Sequence, residues 1–160
     1  MEIRPLEEAF RDWAVDLVAL HFGSARIVSR GVLHDASSLS GLVALRDLQP
    51  VGLLLYRLDA GDCELVLLVS VQPCQGVGTA LLQACHNRAV EAGCQRLWLV
   101  TTNDNLHAQD FYTARGLRQS AVYLGAVRQS RQLKPEIPLF GQDGTLIEDE
   151  IEFELPLARA

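Results

Sequence analysis

Apolar positions recur along this chain with two different periods. After a short extended stretch, Glu2–Leu6, residues Phe10, Trp13, Leu17 and Leu20 fall at three- and four-residue steps. That spacing predicts one helical face, and Gly23 supplies its stop. Arg26–Ser40 shows no settled period. Gly41–Leu48 and Val51–Asp59 are rich in Leu and Val and are separated by Gln49-Pro50, which predicts a hairpin. A second turn, Ala60-Gly61-Asp62, leads into Cys63–Val71. Strands joined so briefly must be antiparallel neighbours, because a parallel crossover needs about a dozen residues or more.

The period then changes. Thr79–Ala92 places Leu82, Cys85 and Ala89 on one helical face, and Gly93 ends it. Arg96–Thr102 (RLWLVTT) is expected to be a strand buried on both faces. Strand, helix and strand in that order give a parallel, right-handed crossover. Asn105 can cap a helix over Leu106–Arg115, closed by Gly116. Leu117–Val127 is expected to be a strand and Arg128–Asp149 a loop. In Glu150–Leu157 the alternation of Ile151, Phe153 and Leu155 with Glu150, Glu152 and Glu154 predicts a final strand. The expected fold class is α/β with a mixed central sheet: antiparallel N-terminal strands, then a parallel βαβ unit.

Composition narrows the function classes. The 160 residues, 49% hydrophobic and 21% charged, suit one globular domain spanning 1–160. A net charge of -6 speaks against nucleic acid, whose partners usually carry a basic face. MEIRPLEEAF has no apolar signal core and no apolar run reaches membrane-spanning length, so a cytoplasmic protein without membrane partners is expected. Cys63, Cys74, Cys85 and Cys94 include no C-x-x-C pair, and only His86 adjoins one of them; free buried thiols and no metal are expected. Cys74 lies in a loop where a thiol can be acidified, but no chemistry is assigned to it.

The chemistry begins at Val66–Ala84, VLLVSVQPCQGVGTALLQA, where an apolar strand empties into Gly76-Val77-Gly78 at a helix N-terminus. The first N–H groups of a helix lack intrahelical partners and its dipole is positive there, so such a turn suits an anion. Glycine lets the main chain approach a ligand closely. A P-loop is excluded, since G-x-x-x-x-G-K-[ST] is absent. The dinucleotide fingerprint fails at its third glycine, where Leu81 stands, and the upstream hairpins do not suit an open parallel sheet, although Asp104 could mimic the ribose-binding acid.

Over most of its length, and most strongly over Cys63–Leu117, the chain resembles the GCN5-related N-acetyltransferase (GNAT) family. The residues that carry the resemblance are Q-G-V-G-T-A-L-L over Gln75–Leu82 and Asn105-x-x-Ala108-x-x-Phe111-Tyr112-x-x-x-Gly116-Leu117. The second motif is the more specific. One departure stands out: Pro73 occupies the place where the family's loop carries Arg or Gln, so the pyrophosphate loop is shortened or shifted.

The resemblance implies acetyl-CoA as acyl donor and a primary amine as acceptor, joined by direct attack in a ternary complex. It implies that backbone N–H groups of Gln75, Gly76, Val77, Gly78 and Thr79 hold the CoA pyrophosphate. It also implies that backbone groups near Val69 and Val71 pair with the pantetheine amides and that Asn105 contacts the cofactor arm. Tyr112 is implied as the acid that protonates the leaving thiolate. Glu64 is implied as the carboxylate that relays the amine's proton through water, with His34 and Asp35 as rivals. Arg128, Arg131 and Lys134 form a cationic run that a solvated loop would also explain. A small amine and a peptide N-terminus are both open as acceptors, and so is the oligomeric state, a homodimer included. A non-catalytic acyl-CoA-binding module is the alternative function.

Overall fold

A seven-stranded mixed sheet in the order β1-β4-β5-β6-β7-β9-β8 organises the molecule. The computed structural model describes residues 1–73 and 75–157, so Cys74 lies outside the described residues. The elements are β1 (Glu2–Pro5), α1 (Glu8–Phe22), β2 (Arg26–Ser29), β3 (Val32–Asp35), β4 (Ser40–Arg46), β5 (Gln49–Asp59) and β6 (Asp62–Ser70). There follow α2 (Val77–Glu91), β7 (Arg96–Thr102), α3 (Leu106–Ala114), β8 (Arg118–Tyr123), α4 (Ala126–Leu133) and β9 (Glu150–Pro156). β1, β4, β5 and β6 are antiparallel neighbours, β6 and β7 run parallel, and β9 enters antiparallel between β7 and β8.

Each face of the sheet buries its own core. On one, Val77, Leu81, Leu82, Cys85 and Ala89 of α2 join Leu54, Cys63, Leu97, Leu99 and Tyr112. On the other, Ala14, Leu17 and Val18 of α1 meet Val43, Leu53, Leu55, Leu67 and Val69. Gly52 sets how close α2 comes: a Cβ there would stand 2.4 Å from Val77 Cγ1, so the helix rests on the β5 main chain itself. No helix among the described residues is long and apolar enough to cross a membrane.

Several expectations shift. Pro50 lies within β5, and the β4–β5 turn is Asp47-Leu48, both at positive φ (51° and 64°), the backbone that a two-residue hairpin turn requires. Leu20 is exposed, because the buried stripe of α1 runs through Ala14, Leu17 and Val18. Arg26–Ser40, which shows no settled period, contains the separate β2–β3 hairpin. In β7 Leu97 and Leu99 are buried while Trp98 and Val100 are half-buried, so one face is drier than the other. The expected loop after Val127 begins with α4, in which Val127 and Ser130 face inward and Arg128 outward. The alternating glutamates of β9 do not simply face water: Glu150 and Glu152 are buried and paired with arginines.

Candidate active site

β6 and β7 begin side by side and then separate. They pair only at Asp62↔Arg96, Cys63↔Leu97 and Glu64↔Trp98. Just beyond, the pairing of β6 with β5 steps from Leu65 to Leu67, leaving Val66 as a bulge. A bulge bends its strand and sharpens the local twist, which carries the rest of β6 away from β7. The bulge also flips the strand's faces. Cys63 and Leu65 belong to the α2-side core, whereas Leu67 and Val69 belong to the α1-side core.

Along the separated part, the Val71 N–H donates to the Val51 carbonyl at 2.8 Å. Backbone groups of alternate strand residues point to opposite edges. Val69 therefore turns to β5 as Val71 does, and the groups beside them that turn into the gap are those of Leu68 and Ser70. The gap presents an unpaired edge to an extended ligand, the geometry of strand addition.

At the end of β6 the chain reaches the N-terminus of α2. Gly76 is its N-cap in the left-handed region (φ 77°), and no side chain caps the helix. The first-turn donors of Val77, Gly78 and Thr79 have no intrahelical acceptors by geometry, and the helix dipole adds its positive end. The Gln75 side chain is engaged by Arg46 from the end of β4, which also donates to Gln72 Oε1 at 2.6 Å. An arginine thus reaches the loop from β4, two strands away in the sheet.

α3 lies against this turn. A Cβ on Gly78 would meet Phe111 Cζ at 3.2 Å, and Arg115 Nε donates to Thr79 Oγ1 at 2.9 Å. Asn105 caps α3, its Oδ1 accepting from the Ala108 N–H at 3.1 Å. That bond uses one lone pair of Oδ1 and leaves the side-chain amide donors for other partners. Tyr112 is buried in the α2-side core, edge-on to Phe111, and burial pushes its phenol well above the ordinary tyrosine range.

Glu64 stands at the last paired position of β6 and β7, on the face opposite Cys63 and Leu65. It is buried, with two donors on its carboxylate: Arg57 Nε on Oε1 at 2.8 Å and the Ser29 hydroxyl on Oε2 at 2.5 Å. His34 is buried beside them, whereas Asp35 is exposed and accepts bonds from Ser37. Burial, reinforced by the Arg57 charge and opposed by Glu64, holds the imidazole below its ordinary pKa. The hairpin carrying Ser29 and His34 is fastened at its tip. Arg30 stacks 3.3 Å from the Tyr123 ring centroid and bonds Glu150 Oε1 at 2.8 Å.

Glu64 and Tyr112 therefore lie on opposite faces of the sheet, Glu64 where the β6–β7 pairing ends and Tyr112 in the α2-side core. The cationic run divides: Arg131 bonds the carbonyls of Ile137, Pro138 and Ile147, and Lys134 that of Arg26, so both brace the chain around α4. Ser29, Arg46 and Arg57 belong to no sequence motif; each reaches the site across the sheet or from a separate hairpin, so neighbouring residues give no signal for them.

The model of the acetyltransferase (GNAT) family matches residues 5–117. The YdhI protein of Bacillus subtilis (strain 168) is 39% identical over 154 residues, 96% of each chain. A Bacillus subtilis acetyltransferase crystallised in complex with CoA superposes with a TM-score of 0.70 at 15% identity, covering 98% of this chain and 99% of its own. A GNAT family acetyltransferase from Elizabethkingia anophelis with acetyl-CoA bound gives 0.69 at 15% identity, covering 98% and 97%.

Proposed function

The chain belongs to the GNAT acetyltransferase family, and we propose that it moves the acetyl group of acetyl-CoA onto a primary amine by direct attack within a ternary complex. The observation that carries this reading is the early end of β6–β7 pairing at Glu64↔Trp98, directly upstream of the Gly76-capped N-terminus of α2. One end of that gap suits an extended arm that hydrogen-bonds like a strand, and the other suits a pyrophosphate. Pantetheine and pyrophosphate are the two parts of CoA in that order.

In this reading the N–H groups of Gln75, Gly76, Val77, Gly78 and Thr79 receive the pyrophosphate. The gap-facing groups beside Val69 and Val71 pair with the arm, and Asn105 offers its amide hydrogens to it. The amine enters on the face of Glu64. Its nitrogen lone pair attacks the thioester carbonyl, a gap-facing N–H of β6 stabilises the oxyanion, and the amine's proton passes to Glu64. The tetrahedral intermediate expels the thiolate toward Tyr112, which protonates it from the opposite face. Burial raises the phenol's own pKa and so weakens it as an acid, and a desolvated thiolate, more basic than one in water, offsets that.

The test is thiol release from acetyl-CoA in the presence of a panel of small primary amines and peptides with free N-termini. Release with at least one acceptor is expected. A protein that binds CoA yet releases no thiol with any of them is an acyl-CoA-binding module, and the catalytic reading fails.

A further inference from the structure

A buried hydrogen-bonded line leads from the β2–β3 hairpin to the carboxylate of Glu64. Ser29, His34 and Glu64 expose only 4%, 6% and 2% of their surfaces. Hairpin register brings the first two together: Ser29 pairs with Val32 and Ile27 with His34, so Ser29 and His34 are diagonal neighbours on one face. Ser29 Oγ lies 2.9 Å from His34 Nε2 and 2.5 Å from Glu64 Oε2, and Glu64 Oε1 lies 4.0 Å from the same nitrogen.

The line has a direction. A serine hydroxyl has a single hydrogen, and Ser29 spends it on the carboxylate, the stronger acceptor. The hydrogen between Ser29 and His34 must then come from the imidazole. His34 Nε2–H donates to Ser29 Oγ, and Ser29 donates to Glu64 Oε2, while Arg57 holds Oε1 from β5.

We propose that Ser29 and His34 are positioning residues for Glu64, His34 acting through the Ser29 hydroxyl to hold the carboxylate in the one orientation that receives the amine's proton. This rests on the reading of Glu64 as the proton acceptor. A carboxylate offers about four acceptor directions. Ser29 and Arg57 occupy two of them, which fixes where the remaining two point. Without Ser29 the group pivots about its Arg57 contact, and a small misplacement of a reacting atom costs rate steeply. The imidazole must also stay uncharged. The charged groups facing it are Glu64 from β6 and Arg57 from β5, with Ser29 the polar neighbour on β2. Protonated His34 would set a cation against Glu64 and hold the carboxylate away from its task.

Two measurements test this. In the wild-type protein labelled with ¹⁵N-histidine, long-range ¹H–¹⁵N spectra at pH 7.5 should show His34 as the neutral Nε2–H tautomer, its signal identified by loss in His34→Leu. Ser29→Ala should erase that tautomer preference. A dominant Nδ1–H form or an imidazolium at this pH overturns the proposal without any need for an acceptor.

The second is thiol release from acetyl-CoA, with water alone and with the fastest amine of the panel. Ser29→Ala and His34→Leu should each lower kcat about tenfold with KM for acetyl-CoA unchanged. Ser29→Thr, which keeps the hydroxyl, should restore the rate. Glu64→Gln should lose roughly a hundredfold, with no further loss on adding Ser29→Ala. If Glu64→Gln is crippled while Ser29→Ala and His34→Leu run at the wild-type rate, the positioning role is wrong and Glu64 stands as the base. If Glu64→Gln runs at the wild-type rate, both readings fall together.

Discussion

Phe111 of α3 lies against the backbone of Gly78 in the first turn of α2, so close that a Cβ at Gly78 would stand 3.2 Å from the ring. The contact joins the two sequence motifs that point to an acyl-CoA site. The glycine at 78 makes room for the aromatic at 111, and Phe111 in turn flanks Tyr112 edge-on with ring centroids 5.2 Å apart. The candidate acid is therefore positioned through the same turn that would hold the pyrophosphate.

CoA should stabilise the protein against heat. A ligand that binds only the folded state adds about 2.7 kcal/mol at a hundredfold excess over Kd. For a chain of this length that is a rise in Tm of roughly 5–10 °C. An unchanged melting temperature at millimolar CoA would remove the cofactor assignment.

Gly76→Val should weaken CoA binding about tenfold or more, whereas Gln75→Ala should stay within a few-fold. Nothing lies within 4 Å of a Cβ at Gly76, so the penalty is not a clash in the free protein. It is the φ of 77°: valine lets the free turn relax away from that backbone, and recovering it for the anion costs roughly 1–2 kcal/mol and more if β-branched, a tenfold factor per 1.4 kcal/mol. Gln75→Ala frees Arg46 from one of two glutamines and leaves Gln72 as its partner. Isothermal titration of both variants decides; equal affinities for wild type and Gly76→Val place the anion elsewhere.

Tyr112→Phe should lower kcat and kcat/KM together by about 10²–10⁴-fold, with CoA affinity retained. The ring keeps its place in the core, and only the hydroxyl is lost. Single-turnover thiol release at saturating acetyl-CoA is the measurement. An unchanged kcat would make Tyr112 a packing residue and hand the protonation to water.

Stability should fall on mild acidification, and His34 should account for part of the fall. Its folded-state pKa is depressed, mainly by burial, below the ordinary value near ~6.5. Between those two values the unfolded chain binds the extra proton and the folded one does not, so stability rises with pH through the window and is complete above it. Melting curves from pH 7.5 down to 5 should therefore slope downward, and His34→Leu should flatten the slope. Parallel slopes for the two proteins would mean that His34 does not titrate between the states.

Much of this arrangement is legible in the sequence because it is local. The glycine-capped turn into α2, the Asn105 cap and the alternation of β9 are each written in adjacent residues. The β2–β3 hairpin was not legible. Its four-residue strands are too short to establish a period, and the turn between them uses Arg30 at φ 46° beside Gly31 rather than an Asn-Gly pair. α4 was hidden for another reason: its mean hydropathy is low and arginine and glutamine make up half of it, so only Val127 and Ser130 mark an inner face. The partners of Glu64 lay out of reach because Arg57 comes from the neighbouring strand and Ser29 from a hairpin 35 residues upstream.

The insertion of β9 between β7 and β8 bears on how the molecule is made. The ribosome produces β8 before its one neighbour in the sheet, and the hairpin tip at Arg30 waits 120 residues for Glu150. A nascent chain can build the β1–β6 meander early, from short-range hairpins. The hairpin that carries Ser29 and His34 is fastened only when β9 threads into its slot and brings Glu150 to Arg30. A half-made chain would carry β6 and α2 with the β2–β3 hairpin still untied, so synthesis itself leaves the surroundings of Glu64 unfinished until the sheet is complete.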